Sequence, residues 1–199
     1  MQKKSEYIFV LLVFMLAFSC VSKKDSKEND VDLGKYMLAG SEVSGMAQTV
    51  LIKNLTEAIE VGGTRHAVQF CNLNASAILD SVSAANNCIV SRVTDKNRNP
   101  ENLISNQHDK SMWDYYNGRN SENVQADSLL QLSDEFIFYR PIRIGMPTCL
   151  KCHGNPELDI DEATKGAIDS LYPADLAKNY KLGDLRGLWK IEFKSIVQD

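Results

Sequence analysis

The rhythm of apolar and polar positions changes several times along the chain. Tyr7 to Phe18, YIFVLLVFMLAF, is unbroken apolar sequence behind the basic MQKK, and a polar stretch, Val21 to Asp32, follows it. From Leu33 the pattern turns amphipathic. Met46, Val50, Leu51, Leu55 and Ile59 recur at helical spacing until Gly62-Gly63 ends the run. A second helix is expected from about Thr64 to Ser83, with an apolar stripe of Val68, Cys71, Ala75, Ile78, Leu79 and Val82. Ala75, one turn after Cys71, leaves room above that thiol.

Beyond residue 87 the period shortens. CIVSRV (88–93) alternates like a short strand, and TDKNRNPEN closes it with an Asn-Pro break. Ser111 to Tyr116 reads as a helical turn or two. EFIFYRPIRI (135–144) is extended, and Pro141 implies an edge or a bulge. Asp161 to Ser170 is a short helix, and YPADLAKNYKLGDLRG (172–187) is rich in turns. In the last strand, Leu188, Lys190 and Glu192 alternate against Trp189, Ile191 and Phe193. Helices come first and strands later, so the expected class is α+β with an antiparallel sheet.

The apolar N-terminal run is too short to span a membrane comfortably and suits the core of a secretory signal, residues 1–19. Ala17 and Ser19 are small residues three and one before Cys20. LAFSC resembles a bacterial lipobox, so Cys20 is expected to carry a lipid; a merely cleaved signal, or an uncleaved anchor, is the alternative. Residues 20–32 then form a flexible tether and 33–199 the folded domain. The expected location is the periplasmic side of the bacterial inner membrane or beyond, lipid-anchored. Of the 199 residues 44% are apolar, enough for a core, and the formal charge of -4 offers no basic field for nucleic acid.

Cys149-Leu150-Lys151-Cys152-His153-Gly154 carries the chemistry. With five cysteines and three histidines, chance would place a Cys-x-x-Cys-His only about 0.002 times in this chain. The spacing suits two thioether links to the vinyl groups of one c-type haem, from Cys149 and Cys152, with His153 reaching the iron from the same turn. Gly154 is expected to let the chain leave close to the porphyrin. A structural zinc would need four ligands, and no second pair completes the set. A redox dithiol would leave His153 unexplained. Candidates for the second axial position are Cys71, Cys88, His66, His108, Met112 and Met146. Met146 is too close to Cys149, and His108 sits in a polar run. Cys71 lies mid-stripe, but it could equally be a small buried hydrophobe or pair with Cys88 in a disulfide.

Four blocks bring in a resemblance: AVQFCNLNA (67–75), RNPEN (98–102), YRPIRIGMPTCLKCHG (139–154) and YPADLAKNYKLGDLRG (172–187). Together they resemble the periplasmic c-type haem domains catalogued as a family of unknown function. That resemblance implies a PAS-like fold and iron held between the motif histidine and a cysteine on an upstream helix, which falls on Cys71; His66 remains the alternative. Family members often carry Gly before the Tyr of Gly-Tyr-x-x-Gly-Asp, where this chain has Asn179. Arg98, Arg140 and Arg143 lie beside the matched blocks as possible propionate contacts, or as surface charges. The expected function is a redox protein, in electron transfer or in redox or gas sensing, with a protein partner for either. A peroxidase-like enzyme with an open iron, or a zinc- or disulfide-built structural protein, stands as the alternative.

Overall fold

The structure, a computed structural model, describes residues 32–118, 127–133 and 135–194. The signal sequence, Cys20 and the tether as far as Val31 lie outside the described residues.

Helix α1 runs Leu33–Asn86, opened by Asp32, whose side chain accepts from Lys35 N. Unbroken, its 54 residues would make a rod of about 80 Å. Gly62 (φ -154, ψ 23) and Gly63 (φ 72, ψ -172) leave the helical region and divide it into arms 33–61 and 64–86. The positive φ of Gly63 is cheap only for glycine. Asn87, at φ 49, ends the second arm in the left-handed conformation that asparagine tolerates.

Four antiparallel strands follow: β1 Ile89–Val93, β2 Ser128–Leu132, β3 Glu135–Arg143 and β4 Leu185–Lys194. Their order is β1-β4-β3-β2. Between them stand α2 Gln107–Asn117, α3 Pro147–His153 and α4 Glu162–Leu171. The expected α+β class with an antiparallel sheet is therefore observed. Strand β2 was not legible in the apolar pattern, and α2 begins four residues earlier than the expected turn, at the Asn106 cap.

One face of the sheet carries Val90, Phe136, Phe138, Trp189, Ile191 and Phe193, packed on Val43 and Ala47 of the first arm and Leu79 and Val82 of the second. Complete burial of Phe136, Phe138 and Ile191 contributes about 1.5–3 kcal/mol each. The first arm is rotated from the expected stripe: Met46 is 47% exposed, and Gly40, Val43, Ser44 and Ala47 face the sheet. Small residues are selected there because the helix lies directly on the ring of Phe138, where a Cβ on Gly40 would overlap it. The second arm keeps its expected phase, with Val68, Leu79 and Val82 buried.

The other face carries Val93, Ile137, Tyr139, Leu185 and Leu188 beneath Trp113 and Tyr116 of α2. Here Asp109 is buried among partners. It accepts from the Tyr139 hydroxyl at 2.7 Å and the Asn106 amide at 2.6 Å, and pairs with Lys190 at 3.3 Å.

Pro141 sits in β3 where β2 has already ended, its last pairing being Ser128 with Tyr139. The strand is locally an edge, as proline requires. Just beyond, Ile142 faces Gly187 and Arg143 faces Leu185, so Arg186 is an extra, unopposed residue: a β-bulge.

Candidate functional site

Pro147 opens α3 at a position where its missing N–H is no loss, and Gly154 caps the other end, its N–H donating to Leu150 O at 2.8 Å. One helical turn puts Cys149 and Cys152 three residues apart on one side, with His153 next to them. Two small apolar clusters seat this helix. Cys152 packs with Val68 of the second α1 arm and Ile160 and Ile168 around α4. Cys149 and Leu150 pack with Ile144, Ala177 and Tyr180.

The glycine at 154 has a different reason from the one expected. A Cβ there would lie 2.7 Å from Leu150 O and from the Asp159 Cβ, so the residue is small because the 155–159 loop folds back over it. Asp159 in turn accepts from Asn155 N at 2.7 Å. Asp161, in the same acidic run, caps α4 through Thr164 N and receives the Thr64 hydroxyl, tying α4 to the start of the second arm.

The segment 172–187 fixes the histidine. His153 Nδ1 donates to Ala177 O at 2.9 Å, which leaves Nε2 as the lone-pair nitrogen. Tyr180 N and Asn179 N donate to the carbonyls of His153 and Gly154, at 3.0 and 2.9 Å. Asn179 has φ 63, a left-handed conformation in which glycine and asparagine are the favoured residues. The exchange of glycine for asparagine at this position therefore keeps the turn. Tyr180 stands edge-on to the imidazole, with ring centroids 6.3 Å apart.

Arg98 is the clamp of the site. It meets Asp175 with Nε and Nη2 at 3.1 Å each, and Nη2 also reaches Cys152 O at 2.6 Å and Ala177 O at 3.4 Å. One guanidinium thus holds both the end of the motif helix and the carbonyl that orients His153. Dense burial holds the His153 pKa well below the usual histidine range; Arg186 and Arg98 push it further down, and the Ala177 hydrogen bond opposes them.

Cys71 is half-buried on the second arm. Burial pushes its thiol up, while Arg92 and Arg98 pull it down. Burial likewise raises Cys152 to about 11, with Arg98 opposing and Cys71 adding to the rise. Cys71 and His153 thus share the same two arginine neighbours, Arg92 and Arg98. Cys88 lies beyond the end of α1, roughly 22 Å along the helix axis from Cys71 and far outside disulfide reach. It packs instead against the sheet core, and Cys71, Cys88, Cys149 and Cys152 are all free thiols.

The other expected residues are scattered. His66 lies one turn after the glycine break, against Gly62, and His108 and Met146 are exposed. Arg140 is committed to Asp127 at 2.9 Å and to Ser41 O at 2.8 Å, on the first arm. Arg143 donates to Gly183 O at 3.0 Å and stands opposite Leu185. Among the described residues no group of three or more His, Cys, Asp or Glu is assembled as a metal cluster.

Two arginines that sequence reasoning missed lie here instead. Arg92 and Arg186 each bury a guanidinium Nε with no hydrogen-bond partner. Arg186 was within reach, because it lies in the matched block 172–187; Arg92 looked like one polar step of an alternating strand. The donor set suits a porphyrin: two free thiols and a nitrogen with a fixed lone pair on one turn, a further thiol near enough to act on Cys152, and cations without a carboxylate partner for its own carboxylates.

Fold and site together define an α+β domain that displays a Cys-x-x-Cys-His helix pinned between the second arm of α1 and the 172–187 segment. Residues 21–193 match the Tll0287-like family, and the chain belongs to that family. It is also similar to a solved structure, the "cyanobacterial heme-protein Tll0287", at 23% identity and a TM-score of 0.60, over 84% of this chain and 97% of that one. That likeness establishes a shared fold. No curated protein matches the chain significantly.

Proposed function

We propose that this chain is an exported redox protein carrying one c-type haem, joined by thioethers at Cys149 and Cys152 and ligated by His153, with Cys71 on the opposite side of the iron. The observation that carries this reading is the 2.9 Å contact from His153 Nδ1 to Ala177 O, on a helix whose two free cysteines flank the same turn. An orienting carbonyl on the far nitrogen is what a metal-ligating histidine needs. The relative named as a heme-protein, and the PAS-like architecture expected of the family, support the same choice.

Bound there, the group would supply a one-electron ferric/ferrous couple. The chain's own residues do the rest. Ala177 and Arg98 hold the imidazole in one orientation. Arg92 and Arg98 favour negative charge on the Cys71 sulfur against the cost of burying it. A sulfur ligand donates electron density to iron and favours the ferric state. Export and lipidation at Cys20 belong to the same reading, because the attachment chemistry of Cys-x-x-Cys-His operates outside the bacterial cytoplasm.

The deciding experiment is the pyridine haemochrome and the dithionite-reduced spectrum of the matured protein, before and after carbon monoxide. A covalent c-type band is expected, and its absence overturns the reading. A large shift of the Soret band with carbon monoxide assigns the protein to sensing. An unchanged band assigns it to electron transfer.

A further inference from the structure

A buried guanidinium with an unpaired N–H is costly, so such groups stand opposite something that answers them. Among the described residues four buried side-chain N or O atoms lack a partner: Arg92 Nε, Arg143 Nη2, Tyr180 Oη and Arg186 Nε. Three of these belong to residues around His153. Arg92 and Arg186 both bear electrostatically on the imidazole, and Tyr180 stands edge-on to it. The Tyr180 hydroxyl lies beside Thr94 and Arg186, but neither meets it with hydrogen-bonding geometry.

Sheet geometry brings the two arginines to one side. Arg92 is opposite Trp189, on the face that α1 covers, with its guanidinium 6.0 Å from the indole centroid. In a regular strand Arg186 would share the other face with Leu188 and Lys190. The bulge changes that: Leu185 joins Leu188 in the core beneath α2, so Arg186, the unopposed residue, turns to the side of Arg92. Bulges re-aim side chains in this way. Arg186 is then steadied by its Nη1 contact to Lys96 O at 3.2 Å and by the Tyr180 ring, 5.5 Å away.

The charge count points the same way. Arg92, Arg98 and Arg186 all act on His153, and Asp175 answers Arg98. Neither Arg92 nor Arg186 makes a salt bridge to a described carboxylate. Asp175 acts on Arg186 only from beyond contact distance, and a porphyrin brings two carboxylates.

We propose that Arg92 and Arg186, with the Tyr180 hydroxyl, form the carboxylate-binding corner of the cofactor site and receive the two haem propionates. This rests on the haem reading above. It assigns to two unanticipated residues the role expected of Arg98, Arg140 and Arg143.

The test uses the matured holoprotein with Arg92→Gln, Arg186→Gln and the corresponding lysine variants. Three readouts are taken: covalent haem per chain by mass, the midpoint potential from pH 5 to 9, and the propionate bending bands in resonance Raman spectra. Each glutamine variant is expected to keep its haem, lower the potential, add a pH dependence as the released propionate titrates, and move a bending band. Bands and potential matching wild type in both glutamine variants overturn the assignment while leaving the haem reading intact. A wild-type chain without covalent haem overturns the haem reading itself. If a glutamine variant does not accumulate, the lysine variant carries the test, because one ammonium cannot reproduce a two-pronged contact. Unchanged bands in that variant also overturn the proposal.

Discussion

Two buried polar clusters sit on opposite faces of the same sheet. Beneath α2, Asp109 accepts from Tyr139 and Asn106 and pairs with Lys190, which also reaches Glu192 at 3.2 Å. Tyr116 is likewise engaged, its hydroxyl 2.7 Å from Ser128 Oγ. Around the motif helix the arrangement is different. Arg98 is tied to Asp175, Cys152 O and Ala177 O, but Arg92, Arg186 and Tyr180 each bury a polar atom without a hydrogen-bond partner. Both clusters are desolvated, so the contrast is one of completeness. The α2 cluster is closed and maintains the fold; the motif-side cluster has the donors of a binding site without their acceptors.

The strongest way to break that contrast is at Asp109. Asp109→Ala leaves Tyr139 without its acceptor and Lys190 with only the more exposed Glu192, and should cost about 3 kcal/mol in a urea titration. Adding Lys190→Met should recover part of it, since removing both partners avoids a buried charge that has lost its buried counter-ion. If the double variant is no more stable than the single one, the cluster is not a coupled unit. Arg98→Met is the equivalent cut on the motif side. Because Asp175 is almost wholly buried, about 3 kcal/mol should be lost, and the His153 orientation with it.

The next effect is alkaline. Burial, the largest cause, pushes the Tyr116 phenol from its ordinary value near 10 up to about 12. The unfolded chain releases that proton first. The contribution of this one phenol is therefore intact below about pH 10 and declines as pH rises towards 12, by at most about 1.4 kcal/mol per pH unit. Tyr116→Phe should reduce the slope in that range, Tyr139 and Tyr180, whose phenols burial also pushes up, keeping the remainder, and an unchanged slope would assign it wholly to other groups. The smallest effect sharpens the comparison from the other side. In chain to which no cofactor has been attached, Arg92→Leu should change stability by less than about 1 kcal/mol or raise it, because no partner is lost. A loss as large as that at Asp109 would mean that Arg92 serves the apo-fold.

Much of this was readable in the sequence, for reasons that differ by element. The second α1 arm kept its phase because Val68, Leu79 and Val82 are bulky apolar residues at strict helical spacing. The first arm did not. Apart from Val43, its contact is made by glycine, serine and alanine, which carry little hydrophobic signal, while Met46 faces outward. The motif helix was evident from three residues, yet its support was not, since Arg98 lies 77 residues before Asp175 and 79 before Ala177 and meets them only in the fold. The arginine corner was hidden by the bulge, because simple alternation puts Arg186 on the wrong face.

That bulge makes the site a matter of counting residues. Arg186 points where it does because one position in β4 has no counterpart across the ladder. A single-residue insertion in β3 between Ile142 and Arg143 would leave every other amino acid unchanged, give Arg186 a counterpart and let the strands pair in regular register. The leucine and the arginine would then trade sides, placing an alkyl chain in the corner and a charge in the core. A one-codon insertion opposite the bulge is accordingly a harsher lesion than most substitutions nearby, and a designer borrowing this strand must copy its irregularity along with its sequence.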